Sequence, residues 1–231
     1  MSGTLMNAAD AAKRRAAERA VSLVQDGMVV GIGSGSTVAF AIDALIARVR
    51  DEHLRVRGVP TSQVSATLAA AGGVPLMDLN DAPTIDLTID GADEIDPHRN
   101  LIKGYGGALL REKLVAVSTK HLVIIADTGK IVERLGARGM LPVEVIPFGW
   151  QRTADRLAAI GLTPTLRVRD GQTFQTDNGN YIFDCALPSR FEAAALAATI
   201  KAMVGVVEHG FFLNLVQTVI IGTDESVKVL T

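Results

Sequence analysis

Over the first 130 residues, short apolar runs alternate with helically spaced segments, and few folds satisfy such an alternation. "DGMVVGIG" reads as a turn and a buried strand, "STVAFAIDALIARV" as a helix, and "LRVRGVPTS" as a short strand with its loop. "SATLAAAG" is a helix closed by Gly72, "TIDLTID" alternates as a strand, "LREKLVAVST" is helical, and "HLVIIAD" is a further, strongly apolar strand. An alanine-rich helix from about Asn7 to Gln25 precedes them, with Ala12, Ala16, Ala20, Leu23 and Val24 in helical spacing and Asp10 near its start, where a carboxylate suits the dipole. Strands alternating with helices, joined by glycine-containing turns after the strand, predict a parallel sheet covered on both faces.

From about Leu135 the texture changes. "MLPVEVIPFGW" is punctuated by proline, "TADRLAAIG" is helical, and "TLRVRDGQTFQTDNGNYIFDCAL" reads as antiparallel strands joined at Asp177, Asn178 and Gly179. This pattern predicts a smaller α+β insert, and 231 residues suffice for one large domain or two unequal ones. The tail "TVIIGTDESVKVLT" holds two short strands, which fit either the insert or the first sheet.

A formal net charge of −2 provides no broad positive field, which argues against nucleic acid and anionic lipid as partners. No apolar run approaches the roughly 20 residues of a membrane span, and the first residues lack a signal peptide's apolar core, so a cytoplasmic location is expected. Cys185 stands alone, which excludes an intrachain disulfide and a thiolate metal cluster within the chain.

Three stretches carry chemistry. "GIGSGST", Gly31 to Thr37, lies between a strand and a helix, where bare backbone, a helix amino terminus and the hydroxyls of Ser34, Ser36 and Thr37 suit a phosphate. The dinucleotide fingerprint would need glycine at Ser36 and an acid after the second strand, so a single phosphate fits better than a dinucleotide; a plain capped turn fits the motif equally well. "DGADEID" follows an apolar strand, which sets its acids at the carboxyl edge of the sheet, the usual ligand edge; as an isolated motif it also reads as a solvated acidic loop. In "KGYGGALLREK", Lys103 and the glycines can meet an anion or enolate-like oxygen, and Glu112 lies early in the following helix. Lys103 competes with a cation among these acids, and His53, His98, His121 and His209 show no ligand spacing, so no metal is expected. Together the three stretches suit proton movement on a small phosphorylated molecule with no cofactor.

These stretches, with "LPVEVIPF" and "TDNGNYIFD" in the same order, closely resemble ribose-5-phosphate isomerase of the A type from about Lys13 to Val229. The resemblance implies an α/β fold in which a Rossmann-like parallel-sheet domain carries a smaller α+β, ferredoxin-like domain inserted before the C-terminal strands. The corresponding boundaries are 1–134 plus 210–231 for the first domain and 135–209 for the second. It implies interconversion of D-ribose 5-phosphate and D-ribulose 5-phosphate through an enediolate, no metal or other cofactor, and a homodimer or homotetramer. Glu112 takes the place of the base that shuttles the proton, Lys103 that of the enediolate stabiliser, Asp90 that of a group for ring opening, and Asp93 that of an acid near the reacting oxygens. Ser34, Gly35, Ser36 and Thr37 match the phosphate loop; Asp90, Gly91, Ala92 and Asp93 lie along the sugar. Lys103, Gly104, Tyr105 and Gly106 match a second binding loop, with Lys130 near the phosphate and Lys13 assisting from the first helix. Two residues depart from the pattern: Tyr105 stands where glycine is common, and Leu110 where threonine is frequent. The rival readings are a related sugar-phosphate isomerase or deaminase, and a sugar-phosphate-sensing domain without catalysis.

Overall fold

The computed structural model describes residues 7–231. The chain divides into two compact units, one made of the chain up to Ala92 with Leu114–Ile131 and Leu215–Thr231, the other of Asp93–Lys113 and Val132–Asn214. This division departs from the sequence-based boundaries at one place that matters for function: residues 93–113, expected in the first domain, belong to the second unit. The second unit also extends slightly further, from Val132 and to Asn214, and residues 1–6 of the expected first domain lie outside the described ones.

In chain order the elements begin with α1 (Ala8–Val21), β1 (Val29–Ile32), α2 (Ser36–Asp51), β2 (Arg57–Pro60), α3 (Gln63–Ala71) and β3 (Leu87–Asp90). Then come β4 (Glu94–Ile95), β5 (Leu101–Ile102), α4 (Leu109–Val117), β6 (Leu122–Asp127), β7 (Met140–Val145), α5 (Trp150–Ala159) and β8 (Thr163–Leu166). The chain closes with β9 (Val168–Arg169), β10 (Gln172–Thr173), β11 (Tyr181–Ala186), α6 (Ala193–Lys201), β12 (Val206–His209), β13 (Phe211–Phe212), β14 (Thr218–Gly222) and β15 (Val227–Leu230).

In the first unit the sheet order is β15-β14-β6-β3-β1-β2, parallel except for the edge strand β15. Both tail strands therefore join this sheet. β1 feeds β2 on one side and β3 lies on its other side, so the loops after β1 and β3 flank the point where the strand order reverses. Alternate residues of a strand face opposite layers: Val30 and Ile32 pack with α1, α2 and α3, while Val29 packs with Val115 of α4. Alanine lets α1 come close, with Ala16, Ala17 and Ala20 fully buried. Gly222 at the end of β14 is glycine because a Cβ there would strike the carbonyl of Ala12.

The second unit runs strand-helix-strand-strand-helix-strand (β7, α5, β8, β11, α6, β12) into an antiparallel sheet of order β12-β7-β11-β8, the ferredoxin-like arrangement. Leu141, Val143, Val145, Phe183 and Cys185 form its apolar face against Leu157 of α5 and Ala197 and Ile200 of α6. The opposite face carries the sheet's carboxylates alongside Pro142 and Ile182: the register sets Glu208 beside Glu144, and Asp184 beside Pro142. A small antiparallel sheet, β13-β5-β4, completes the unit.

Candidate active site

In the first unit, the site residues gather at the carboxyl edge of the parallel sheet. Gly35, in the left-handed region at φ 107°, caps α2 with no side-chain hydrogen bond, so no capping side chain covers the first-turn amides beginning at Ser36 and Thr37. Asp90 ends β3 with 1% exposure, and its Oδ1 accepts from the amides of Ser34 at 3.1 Å and Gly91 at 2.7 Å. The missing side chain of Gly33 leaves the space this carboxylate fills. Ala92 is the last residue of this segment in the unit. Lys130 ends the short turn Thr128–Lys130 directly after β6, at the same edge. Lys13 follows Ala12, which packs on the final residue of β14, and its Nζ lies 3.3 Å from Asp10 Oδ1.

The Ser34 hydroxyl has an unexpected role. It lies 2.8 Å from both Thr61 Oγ1 and Ser62 Oγ and 3.3 Å from Ser65 Oγ, and Ser65 donates to the Gly33 carbonyl at 2.6 Å. Thr61, Ser62 and Ser65 are buried, so this hydroxyl cluster fixes the loop from beneath. As a sequence, the stretch after the second strand shows only the lack of a dinucleotide acid, although "TSQVS" follows the carboxyl end of β2 and the same edge rule applies to its hydroxyls.

The second unit holds the proton-transfer candidates. Lys103 and Glu112 are buried, with Nζ 3.1 Å from Oε1. The Lys103 amide donates to the Gly210 carbonyl at 2.9 Å, which ties the loop to the turn before β13. Asp93 Oδ2 accepts from the Tyr105 amide at 3.0 Å. Tyr105 itself does not need glycine's freedom: the positive φ values of this loop fall on Gly104 (109°) and Gly107 (95°). The Tyr105 ring packs against the core, its hydroxyl donates to the Met140 carbonyl at 3.3 Å, and burial raises its pKa to about 12. Gly106 is exposed. Glu94, within the same acidic run, is spent on structure, accepting from the amides of Gly136 and Arg138 at 2.6 and 2.8 Å.

Helix α4 presents Glu112 because the residues on either side are anchored. Arg111 donates to Asn178 Oδ1 at 2.9 Å and to the Asp177 carbonyl at 3.0 Å. Lys113 donates to Glu208 Oε1 at 2.8 Å and to the His209 carbonyl at 2.6 Å, and its Nζ lies 4.8 Å from the Phe212 ring centre, the ring that Lys103 also approaches at 5.6 Å. Burial lowers the Lys113 pKa to about 8 against the pull of Glu208. Burial would raise Glu208, but the ammonium groups of Lys113 and Lys201 and the His209 amide outweigh it and hold the carboxyl at about 2. Burial, then the nearby Lys113 charge, brings His209 down to about 4, so its ring is neutral near pH 7.

No group of histidine, cysteine or acidic side chains among the described residues is arranged to hold a metal ion. No helix among them is long and apolar enough to cross a membrane.

The family of ribose 5-phosphate isomerase A (phosphoriboisomerase A) matches residues 57–226. A ribose-5-phosphate isomerase A of Gloeobacter violaceus is 51% identical over 223 residues, 96% of each chain. The structure of ribose 5-phosphate isomerase A from Methanocaldococcus jannaschii superposes with a TM-score of 0.90 at 39% identity, over 95% of this chain and 97% of that one. A D-ribose-5-phosphate isomerase in complex with phospho-erythronic acid does so with a TM-score of 0.93 at 35% identity, over 97% and 99%. With its two units, its glycine loop and its buried lysine–glutamate pair carried on a chain alike from end to end, this protein belongs to the ribose 5-phosphate isomerase A family.

Proposed function

We propose that the protein interconverts D-ribose 5-phosphate and D-ribulose 5-phosphate by moving one proton between adjacent sugar carbons. The observation that carries this reading is the 3.1 Å contact between Lys103 Nζ and Glu112 Oε1, a base and a cation held together out of water. The Glu112 carboxylate takes the proton from C2 of the open-chain aldose as O1 gains a proton, giving an enediol. The hydroxyl at O2 then gives up its proton, and Glu112 returns its own to C1. The Lys103 ammonium stabilises the negative charge that builds on oxygen in between. Asp93 exchanges the oxygen-bound protons and Asp90 assists ring opening. Ser34, Gly35, Ser36 and Thr37 hold the phosphate at the start of α2 with Lys130 and Lys13 as cations, while Gly91, Ala92, Gly104, Tyr105 and Gly106 line the sugar.

No step requires an oxidant or a metal. The lone buried Cys185 supports a reducing compartment, for which the cytoplasm is proposed, and the assembly proposed from the family resemblance is a homodimer or homotetramer. Purified protein mixed with ribose 5-phosphate in chelator-treated buffer is expected to form the ketose. A protein that forms none, or that does so only after one metal is restored, would overturn this reading.

A further inference from the structure

Arg167, which follows β8, lies far in sequence from every residue assigned above, yet its guanidinium reaches the backbone of the second binding loop. Nη1 donates to the carbonyl of Gly104 at 2.9 Å and to that of Tyr105 at 3.2 Å. The other side of the fork is occupied by Asp184 on the carboxylate-bearing face of the sheet: Nε donates to Oδ2 at 2.9 Å and Nη2 to Oδ1. The two side chains are only 9% and 20% exposed. A bidentate arginine–carboxylate pair of this kind is geometrically rigid, and lysine cannot reproduce it.

The chain contains no cis peptide bond among the described residues, and in a trans peptide the carbonyl and the next N–H point in opposite directions. Turning the carbonyls of Gly104 and Tyr105 onto Arg167 therefore turns the amides of Tyr105 and Gly106 away from it. The first of these amides ends on Asp93 Oδ2 at 3.0 Å, as this geometry requires. The second belongs to the exposed Gly106 and, by the same rule of the trans peptide, is turned away from Arg167. The far end of the loop is held by Phe174, whose ring occupies the space a side chain on Gly107 would take and stacks beneath the guanidinium groups of Arg167 and Arg169 at 5.7 and 4.4 Å.

We infer that Arg167, locked by Asp184, is a positioning residue: it orients two successive peptide groups so that one amide fixes the Asp93 carboxylate and the next, that of Gly106, is offered as a donor to an oxygen of the open-chain sugar. This inference rests on the isomerase reading for its consequence in turnover, but not for its consequence in loop geometry.

The test uses the full chain with Arg167→Ala, Arg167→Lys and Asp184→Asn. A misplacement of about 1 Å in such a loop costs on the order of 10²-fold in rate, which is the expected fall in turnover for Arg167→Ala. Affinity for phosphate alone should stay near that of the parent. Guanidinium at low millimolar concentration should recover at least about tenfold of the lost turnover, and ammonium should not, because only a planar guanidinium meets the Asp184 carboxylate bidentately while keeping a nitrogen on the two carbonyls. Hydrogen exchange should accelerate at the Tyr105 amide while the Lys103 amide, bonded to Gly210, keeps its protection. Arg167→Ala or Asp184→Asn with parental turnover and parental Tyr105 exchange would overturn the inference, as would a loss that follows the unfolded fraction with no guanidinium rescue. If Arg167→Ala fails to fold, Asp184→Asn, which conserves volume, gives the turnover and hydrogen-exchange readouts. A parent protein that forms no ketose refutes the isomerase reading, and the exchange experiment still decides the role of Arg167.

Discussion

Lys103 Nζ and Glu112 Oε1 are 3.1 Å apart, and the two side chains are 3% and 6% exposed. They stand nine positions apart along the chain, and each is held by different backbone: Lys103 by the Gly210 carbonyl, Glu112 by a helix pinned through Arg111 and Lys113. The proton abstraction from carbon proposed for this carboxylate gains from the shielding, because water neither competes for it nor screens the lysine.

Glu112→Gln, nearly isosteric, keeps a hydrogen-bond acceptor for Lys103 but removes the proposed base. Turnover should fall by roughly 10²- to 10⁴-fold, the range for general acid–base catalysis. Calorimetric affinity for a phosphorylated four-carbon sugar acid should largely survive. Near-parental turnover would move the base elsewhere, with Asp90 or Asp93 next in line.

Contacts to a phosphate that takes no part in bond changes act alike in ground and transition states. Lys130→Ala and Thr37→Ala should therefore raise KM by about tenfold or more and leave kcat within a few-fold, each lost charge-assisted bond being worth roughly 1.5–3 kcal/mol. Steady-state kinetics decide it: a large fall in kcat at unchanged KM contradicts the assignment.

Gly33→Ala is a sharper test of the first unit's loop. A Cβ at this position would run into the carboxylate and backbone of Asp90, so either β3 shifts or the carboxylate leaves the amides of Ser34 and Gly91. The expected result is a lower melting temperature together with loss of sugar-acid binding, read by scanning and titration calorimetry. Gly35→Ala meets open space but must adopt a φ of 107°, so strain alone acts there.

The anchor of α4 predicts a pH dependence. In the folded chain His209 takes up its proton at about 4, below the ordinary 6.5, and Glu208 at about 2, below the ordinary 4.5. Over both intervals the unfolded chain binds more protons, so stability rises with pH and is lost on acidification, first through His209 between 6.5 and 4 and then through Glu208 between 4.5 and 2. His209→Gln should flatten the upper interval. Urea melts at pH 7 and pH 5 should show the parent losing roughly 1–2 kcal/mol more than the variant; equal losses would refute this role for His209.

The parts legible in the sequence are those written in contiguous residues. "HLVIIAD" and "TIDLTID" show their burial in every position or every second one, and "GIGSGST" carries its turn and helix start together. Two-residue strands such as Glu94–Ile95 and Phe211–Phe212 have no period to detect, which is why residues 93–113 were expected with the first domain. Arg167 and Asp184 escape for another reason: each is one charged residue in a strand region, and their purpose emerges only when β8 and β11 pair in register. Tyr105 misleads in the opposite sense, since its neighbours Gly104 and Gly107 carry the unusual backbone angles.

The position of β14 between β6 and β15 has a consequence for synthesis on the ribosome. When β6 emerges, β3 is available on one side, but its other partner begins at Thr218, roughly ninety residues later. At 5–20 residues per second, that is a delay of roughly 5–20 s. Throughout it, a strand of Leu, Val, Ile, Ile and Ala offers an open edge of amides and carbonyls, the template on which neighbouring nascent chains pair. The yield of soluble protein then depends on how quickly Thr218–Gly222 follow β6, and a transcript truncated between the two leaves that edge open.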